Sequence, residues 1–232
     1  MSNFERRPHI DRHYDEELRE LHHKVLEMGG FVEKQISDAI KALITRDSDL
    51  ARLIIERDKT VNRMDVEIDE RCLRLLALHQ PTARDLRLIT TALKITTDLE
   101  RTGDIAENIC RRALELNTEP QLKPFLDIPR MAEIAEAMLR KSLDAFVRED
   151  VDLALEVCHA DDTVDQLAQQ VLRELMSFMM EDPRTITRAL RLVFIARHLE
   201  RTADHATNIA EMVVFMVKGK SIRHLDQLPS TV

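Results

Sequence analysis

The amino-acid sequence predicts an all-α protein made of two tandem, pseudo-symmetric three-helix bundles. Three observations carry that prediction. Only four of the 232 residues are glycine, while 33% are charged and 3% aromatic, a composition suited to long amphipathic helices. Prolines fall between long stretches of helical periodicity. Short sequence blocks from the first half also recur, in the same order, in the second.

The glycine shortage argues against β-rich folds and nucleotide-binding α/β folds, whose tight turns and phosphate-cradling loops need positive φ or close backbone approach. Neither G-x-G-x-x-G nor G-x-x-x-x-G-K-[ST] is present. The chain has 34 Lys+Arg against 42 Asp+Glu, a formal charge of −8, and its basic residues are interspersed with acids. That balance disfavours nucleic-acid binding and leaves no polybasic membrane patch. Cys72, Cys110 and Cys158 are odd in number and lack C-x-x-C spacing, as expected of buried thiols in a reducing compartment. The amino terminus is charged at once, and the longest apolar run, Met212 to Val217, is far short of the roughly 18–20 residues that span a bilayer. A cytoplasmic protein without direct membrane insertion is expected, peripheral to the membrane through partners.

The repeat orders the elements. RDSDLA (46–51) corresponds to REDVDLA (148–154), DKTVN (58–62) to DDTVD (161–165), Pro81 to Pro183, and LERTGDIAENI (99–109) to LERTADHATNI (199–209). In the first block of each half, short polar residues stand where a helix N-cap is needed. The expected helices are 11–45, 48–56, 58–79 and 82–117 in the first half, and 129–148, 151–158, 161–181 and 184–218 in the second. Pro81 and Pro183 suit the first turn of the helix that follows each. The expected units are residues 10–118, a Pro-rich linker at 119–128 holding Pro120 and Pro124, residues 129–218, and a flexible tail at 219–232.

The repeated blocks hold side chains four apart, and therefore on one face of a helix: Asp58 and Asn62, Glu100 and Asp104, Asp161 and Asp165, Glu200 and Asp204. Two helices can bring such pairs onto one cation. An all-oxygen site suits Mg²⁺, Ca²⁺, Mn²⁺ or ferric iron, and zinc less well. Acids are so abundant that one pair alone carries no information, and Arg101 and Arg201 are placed for ordinary i,i+3 ion pairs with Asp104 and Asp204. Recurrence at equivalent positions is what singles these pairs out. Asn108 and Asn208 extend each face by one turn. Gly103 and Ala203 keep the space between the acids small, for close helix packing or an uncovered ion. Asp65 and Asp69 form a further pair on the same stretch.

LERTGD, LERTAD, HQPTARDLR (79–87), DKTVN and the two-fold repeat together resemble the PhoU family, accessory and regulatory proteins of bacterial phosphate transport. The resemblance covers residues 10–218. It implies two similar three-helix bundles side by side, no enzyme activity, and E/D-x-x-x-D motifs that hold metal, iron, manganese, magnesium or zinc, in multinuclear clusters. By position, the motif residues are Glu100 and Asp104, Glu200 and Asp204, and Asp161 and Asp165. Asp58 matches the remaining motif, with Asn62 in place of its second acid, which makes the first-half site weaker or differently loaded. The resemblance further implies a homodimer that restrains phosphate uptake and represses the phosphate-starvation genes of the Pho regulon. The implied partners are the ATPase subunit of the phosphate ABC transporter and a membrane sensor histidine kinase. No phosphate-holding loop is present.

The alternative is a ferritin-like di-iron oxidase or iron-storage protein. Glu20-x-x-His23 and Glu156-x-x-His159 have the E-x-x-H spacing of that architecture, although they occupy non-equivalent places in the repeat. His198 and His205 point away from the second acid pair and read as packing or surface residues. No nucleophile–base constellation is present. Met176, Met179, Met180, Met212 and Met216 are expected mostly to fill core gaps, and exposed ones can form an adaptable docking face.

Overall fold

The computed structural model describes residues 8–222, with side chains from His13 onward; the expected tail beyond Ile222 lies outside the described residues. Six long helices account for nearly all of it: α1 (Pro8–Thr45), α2 (Ser48–His79), α3 (Ala83–Asn117), α4 (Asp127–Arg148), α5 (Val151–Glu181) and α6 (Ile186–Lys218). A 3₁₀ turn at Pro183–Thr185 leads into α6. No strand occurs among the described residues.

The expected interruptions near 57 and 159–160 are absent, and α2 and α5 run straight through both repeat blocks. No glycine or proline stands there to break them, and one buried stripe continues across each junction. In α2 that stripe is Ile54, Asp58 and Val61; in α5 it is Ala154, Cys158 and Val164. Pro81 lies two residues ahead of α3 instead of in its first turn. α4 begins two residues before Pro129, which its first turn accommodates.

The α1–α2 and α4–α5 turns share one construction. Arg46 and Glu149 both adopt the left-handed conformation, at φ 57° and 52°. Asp47 then caps α2 by accepting from the amides of Asp49 and Leu50, and Asp150 caps α5 by accepting from the amide of Leu153. The left-handed residue itself differs in charge between the halves. Arg46 donates to the carbonyls of Leu116, Asn117 and Glu119 at 3.1, 3.0 and 2.6 Å, closing the end of α3. Glu149 instead accepts two bonds from Arg84 at the start of α3, at 2.9 and 2.8 Å.

Packing produces two layers. α2, α3, α6 and α5 lie side by side in that order; α1 packs on α2 and α3, α4 packs on α5 and α6, and α1 and α4 touch each other. α3 and α6 run antiparallel along the seam between the halves. Arg87 Nε reaches the Met216 carbonyl (3.0 Å), Asp98 meets His205, and Arg191 meets Glu115. The core is one continuous apolar cluster through both halves, including Leu21, Ile36, Ile89, Leu99, Phe146 and Leu199, each fully buried. α1 and α4 are joined by an edge-on contact of His22 with Phe146 (4.7 Å) and by Arg140–Glu33 (3.1 Å).

All three cysteines are free and buried, and burial pushes each thiol up to about 12. Met212 and Met216 are core residues, whereas Met176 and Met180 are 49% and 75% exposed. Among the described residues no helix is long and apolar enough to cross a membrane.

Candidate metal-binding edges

Where α2 meets α3, and where α5 meets α6, the four-spaced acids of the repeat come together. In the first half, Gly103 makes the approach possible, because a Cβ there would stand 3.0 Å from Val61 Cγ1. Asp58 is 9% exposed, and its Oδ1 is buried without a hydrogen-bond partner. Its Oδ2 accepts from Asn62 Nδ2 at 2.9 Å. One oxygen each of Asp58, Asp104 and Glu107 lies within 4.8 Å of the other two. Burial raises the Asp58 carboxyl above its usual range, and the negative charges of Glu107 and Asp104 raise it further. Glu100 is raised by burial and then by Asp104. Arg101 stands 3.5 Å from Glu100 and 3.9 Å from Asp104, and Arg111 holds Oε1 of Glu107.

In the second half, Asp161 occupies the position of Asp58, and its Oδ1 is likewise buried, with the Thr207 hydroxyl beside the carboxyl. Burial, then Asp204 and Asp165, push its carboxyl up to about 6. Asp165 is raised by burial and by Glu200; Asp204, at the solvent-facing edge, is raised by partial desolvation and then by Asp165 and Glu200. Arg197 donates to both oxygens of Glu200 at 2.6 Å.

The structure therefore brings Asp58, Asn62, Glu100 and Asp104 onto one edge, and Asp161, Asp165, Glu200 and Asp204 onto another. A buried carboxylate oxygen without a partner is costly. Its presence at Asp58 fits an oxygen-liganded cation. Glu107 is the residue that sequence reasoning missed. The repeated motif spans four residues, and Glu107 lies three beyond its end at Asp104, still on the same face. Its repeat counterpart is Thr207, so the repeat did not point to it. Asn108 donates its side-chain amide to the Asp104 carbonyl at 2.8 Å. Asp65 flanks the first edge and is raised by burial and Asp69.

The E-x-x-H histidines do not converge. Their motifs sit on α1 and α5, which make no contact among the described residues. Glu20 is paired with Arg71 and Glu156 with Lys141, and His23 and His159 are exposed. His205 spans the seam instead, with its Nδ1 2.8 Å from Asp98 Oδ1.

Known proteins match this architecture along its length. The model of the PhoU domain matches twice, over residues 25–113 and 128–213. The phosphate-specific transport system accessory protein PhoU homolog of Pseudomonas aeruginosa is 45% identical over 218 residues, 94% of this chain and 90% of its own. The phosphate-specific transport system accessory protein PhoU of Escherichia coli is 43% identical over 225 residues, 97% of this chain and 93% of its own. The crystal structure of PhoU from Pseudomonas aeruginosa superimposes with a TM-score of 0.86, covering 89% of this chain and all of that one. That of the phosphate transport system regulatory protein PhoU from Streptococcus pneumoniae gives 0.85 at 32% identity, covering 90% and 99%. With two PhoU domains in tandem and relatives matched over nearly their whole length, this chain belongs to the PhoU family.

Proposed function

We propose that the protein is a non-enzymatic adaptor of phosphate uptake and phosphate-starvation signalling that binds cations along its two acid edges. Its relatives are described as accessory or regulatory proteins of phosphate transport, which supports the regulatory part. The cation part rests on one observation: Asp58 Oδ1 is buried without a partner, on a carboxylate clustered with those of Asp104 and Glu107. Asp58, Asn62, Glu100 and Asp104, and Asp161, Asp165, Glu200 and Asp204, are the side chains that would hold iron, manganese, magnesium or zinc ions. A bound cation there supplies positive charge. The chain's own part is to present carboxylates at close quarters, already partly desolvated, on the layer formed by α2, α3, α6 and α5.

The proposed partners are the ATPase subunit of the phosphate ABC transporter and the membrane sensor histidine kinase. The protein would meet them from the cytoplasmic side as a homodimer, so the charge on the acid edges would tune which face is presented. Deleting the gene should switch on phosphate-starvation genes in phosphate-rich medium; continued repression in that strain overturns the regulatory reading. For the cation reading, the combined Asp104→Ala and Asp204→Ala variant should lose metal by elemental analysis, whereas His23→Ala and His159→Ala should retain it. Normal metal content in the acid variant would rule that reading out. Co-purification with the transporter ATPase and the sensor kinase tests the partners directly.

A further inference from the structure

The α1–α2 and α4–α5 turns are built alike, yet the helix ends beside them are closed differently. Arg46 fills the place beside the end of α3, through its three bonds to carbonyl oxygens. Glu149 holds the equivalent turn position beside the end of α6 and turns to Arg84 instead. Arg87 reaches across from α3 to the Met216 carbonyl. Its guanidinium lies along Gly219, the left-handed residue (φ 68°) that ends α6, where a Cβ would stand 3.8 Å from Arg87 Cζ. A cavity of about 270 Å³ remains, with Arg84, Arg87 and Glu149 as its charged lining and Leu88, Met216 and Val217 as its apolar wall. That is smaller than the roughly 300–1,000 Å³ of sites for drug-sized molecules, and it suits a small charged group.

We propose that this cavity binds a phosphate group, free or as a small monoester, between the guanidiniums of Arg84 and Arg87, and that the ligand displaces Glu149 from Arg84. The inference rests on neither the cation nor the regulatory reading above. Arg84 and Arg87 are three residues apart and so neighbours on one helix face. Both bonds to Glu149 come from a single Arg84 nitrogen, Nη2. A guanidinium holds an oxyanion best through two nitrogens in parallel, so the resident carboxylate leaves that fork half-used. A phosphate monoester brings three acceptor oxygens and up to two charges, enough to engage both arginines where one carboxylate engages one. Arg84 is 71% exposed and free to swing, whereas the half-buried Arg87 is fixed by its bond to Met216. The apolar wall strengthens charge-assisted bonds by lowering the local dielectric. One turn further along the same face of α3, the buried Thr91 Oγ1 has no partner. Two guanidiniums thus stand in for the glycine-rich loop that the sequence lacks. Because the arginines belong to the first half and Glu149, Met216 and Val217 to the second, a bound phosphate would tie the halves together across the seam.

The test is calorimetric titration of the full chain in chelator, which keeps metal-borne phosphate out, with inorganic phosphate in one arm and phosphoserine in the other. One site per chain is expected, and the arm that binds more tightly tells whether it takes the free ion or the ester. Arg84→Ala and Arg87→Ala should each weaken binding by roughly tenfold. Glu149→Gln should tighten it about two- to fivefold, as release of an exposed ion pair allows. Asp152→Asn, which removes an equal charge from the exposed first turn of α5, should leave it unchanged. Helix content and thermal unfolding verify that each variant folds; Arg87→Lys, which keeps the charge and loses the fork, replaces Arg87→Ala if that variant does not. The assignment is overturned if neither ligand binds at millimolar concentration, if the arginine variants bind as the wild-type chain does, or if Glu149→Gln and Asp152→Asn have equal effects.

Discussion

The first and second halves share a backbone and differ in where they put charge. The same left-handed turn carries Arg46 in one and Glu149 in the other, and each finds its own partners on α3. The same helix pair carries Gly103 against Val61 in the first half, and the repeat sets Ala203 and Val164 at the corresponding positions of the second. The same acid edge brings oxygens of Asp58, Asp104 and Glu107 within 4.8 Å of one another in the first half, and among the described residues no three acids of the second edge come so close. Packing residues such as Leu99 and Leu199 are fully buried in both. After duplication, close packing tolerates little change in volume, whereas a half-exposed polar edge can exchange one side chain for another. The comparison thus separates what the fold requires from what each half does.

The broadest way to break the comparison is at the shared core. Leu99→Ala and Leu199→Ala should each cost about 2–5 kcal/mol in chemical denaturation, from lost burial and the cavity left behind. The two losses should be of similar size and appear in one transition, because α3 and α6 pack along a common seam. Separate transitions for the two halves would show that the seam does not couple them. Next in size is the helix approach beside the first edge. Gly103→Val should cost about 1–3 kcal/mol by overpacking against Val61. The reverse test in the other half, Ala203→Gly, should cost only about 1 kcal/mol, from helix propensity. Equal effects at the two positions would mean that Val61 does not crowd a side chain added at position 103.

The acid edges give a pH-dependent contrast. The folded-state pKa of Asp161 is about 6 against an ordinary 3.8. The folded chain therefore binds the proton more tightly than the unfolded chain does. Without cation, this group adds no penalty below about pH 3.8, erodes stability as pH rises from there to about 6, and leaves a constant deficit above. Asp161→Asn should accordingly stabilise the chelated protein at neutral pH by about 1–2 kcal/mol. The gain should vanish in acid, as followed by thermal unfolding across pH. Asp58→Asn should shift stability in the same direction, since its carboxyl is also raised. A loss of stability at neutral pH in either variant would contradict the electrostatic reading. The smallest contrast is at the turns. Arg46→Ala gives up three bonds to carbonyl oxygens and should cost about 1 kcal/mol. Arg84→Ala removes a largely exposed ion pair with Glu149 and should cost less, about 0–1 kcal/mol. Calorimetric melting of both variants ranks them.

Much of the molecule was legible before any coordinate. The blocks RDSDLA and REDVDLA marked two turns whose aspartates cap the following helices, and the spacing of Glu100 and Asp104 marked a helix face. Helix continuity through Arg57 and His159 was not legible, because polar repeat blocks there resemble turn chemistry. The missing signal is the buried stripe of Ile54, Asp58 and Val61, which becomes visible only when α3 covers it. Glu107 was missed because it differs between the repeats and lies three residues beyond the motif. The Asp98–His205 contact was out of reach because its partners lie 107 residues apart, on helices whose antiparallel seam no local pattern specifies.

The sequence by itself determined helical class, duplication, turn positions and the family, since each is written in local spacing, in capping chemistry, or in blocks that recur. Only the tertiary structure decided which carboxylates share a space, which oxygen atoms are left without partners, and that the two edges differ. Those properties depend on distances between side chains of different helices. Such distances follow from how the helices pack across Gly103, Val61 and the α3–α6 seam, not from the order of residues along any one of them.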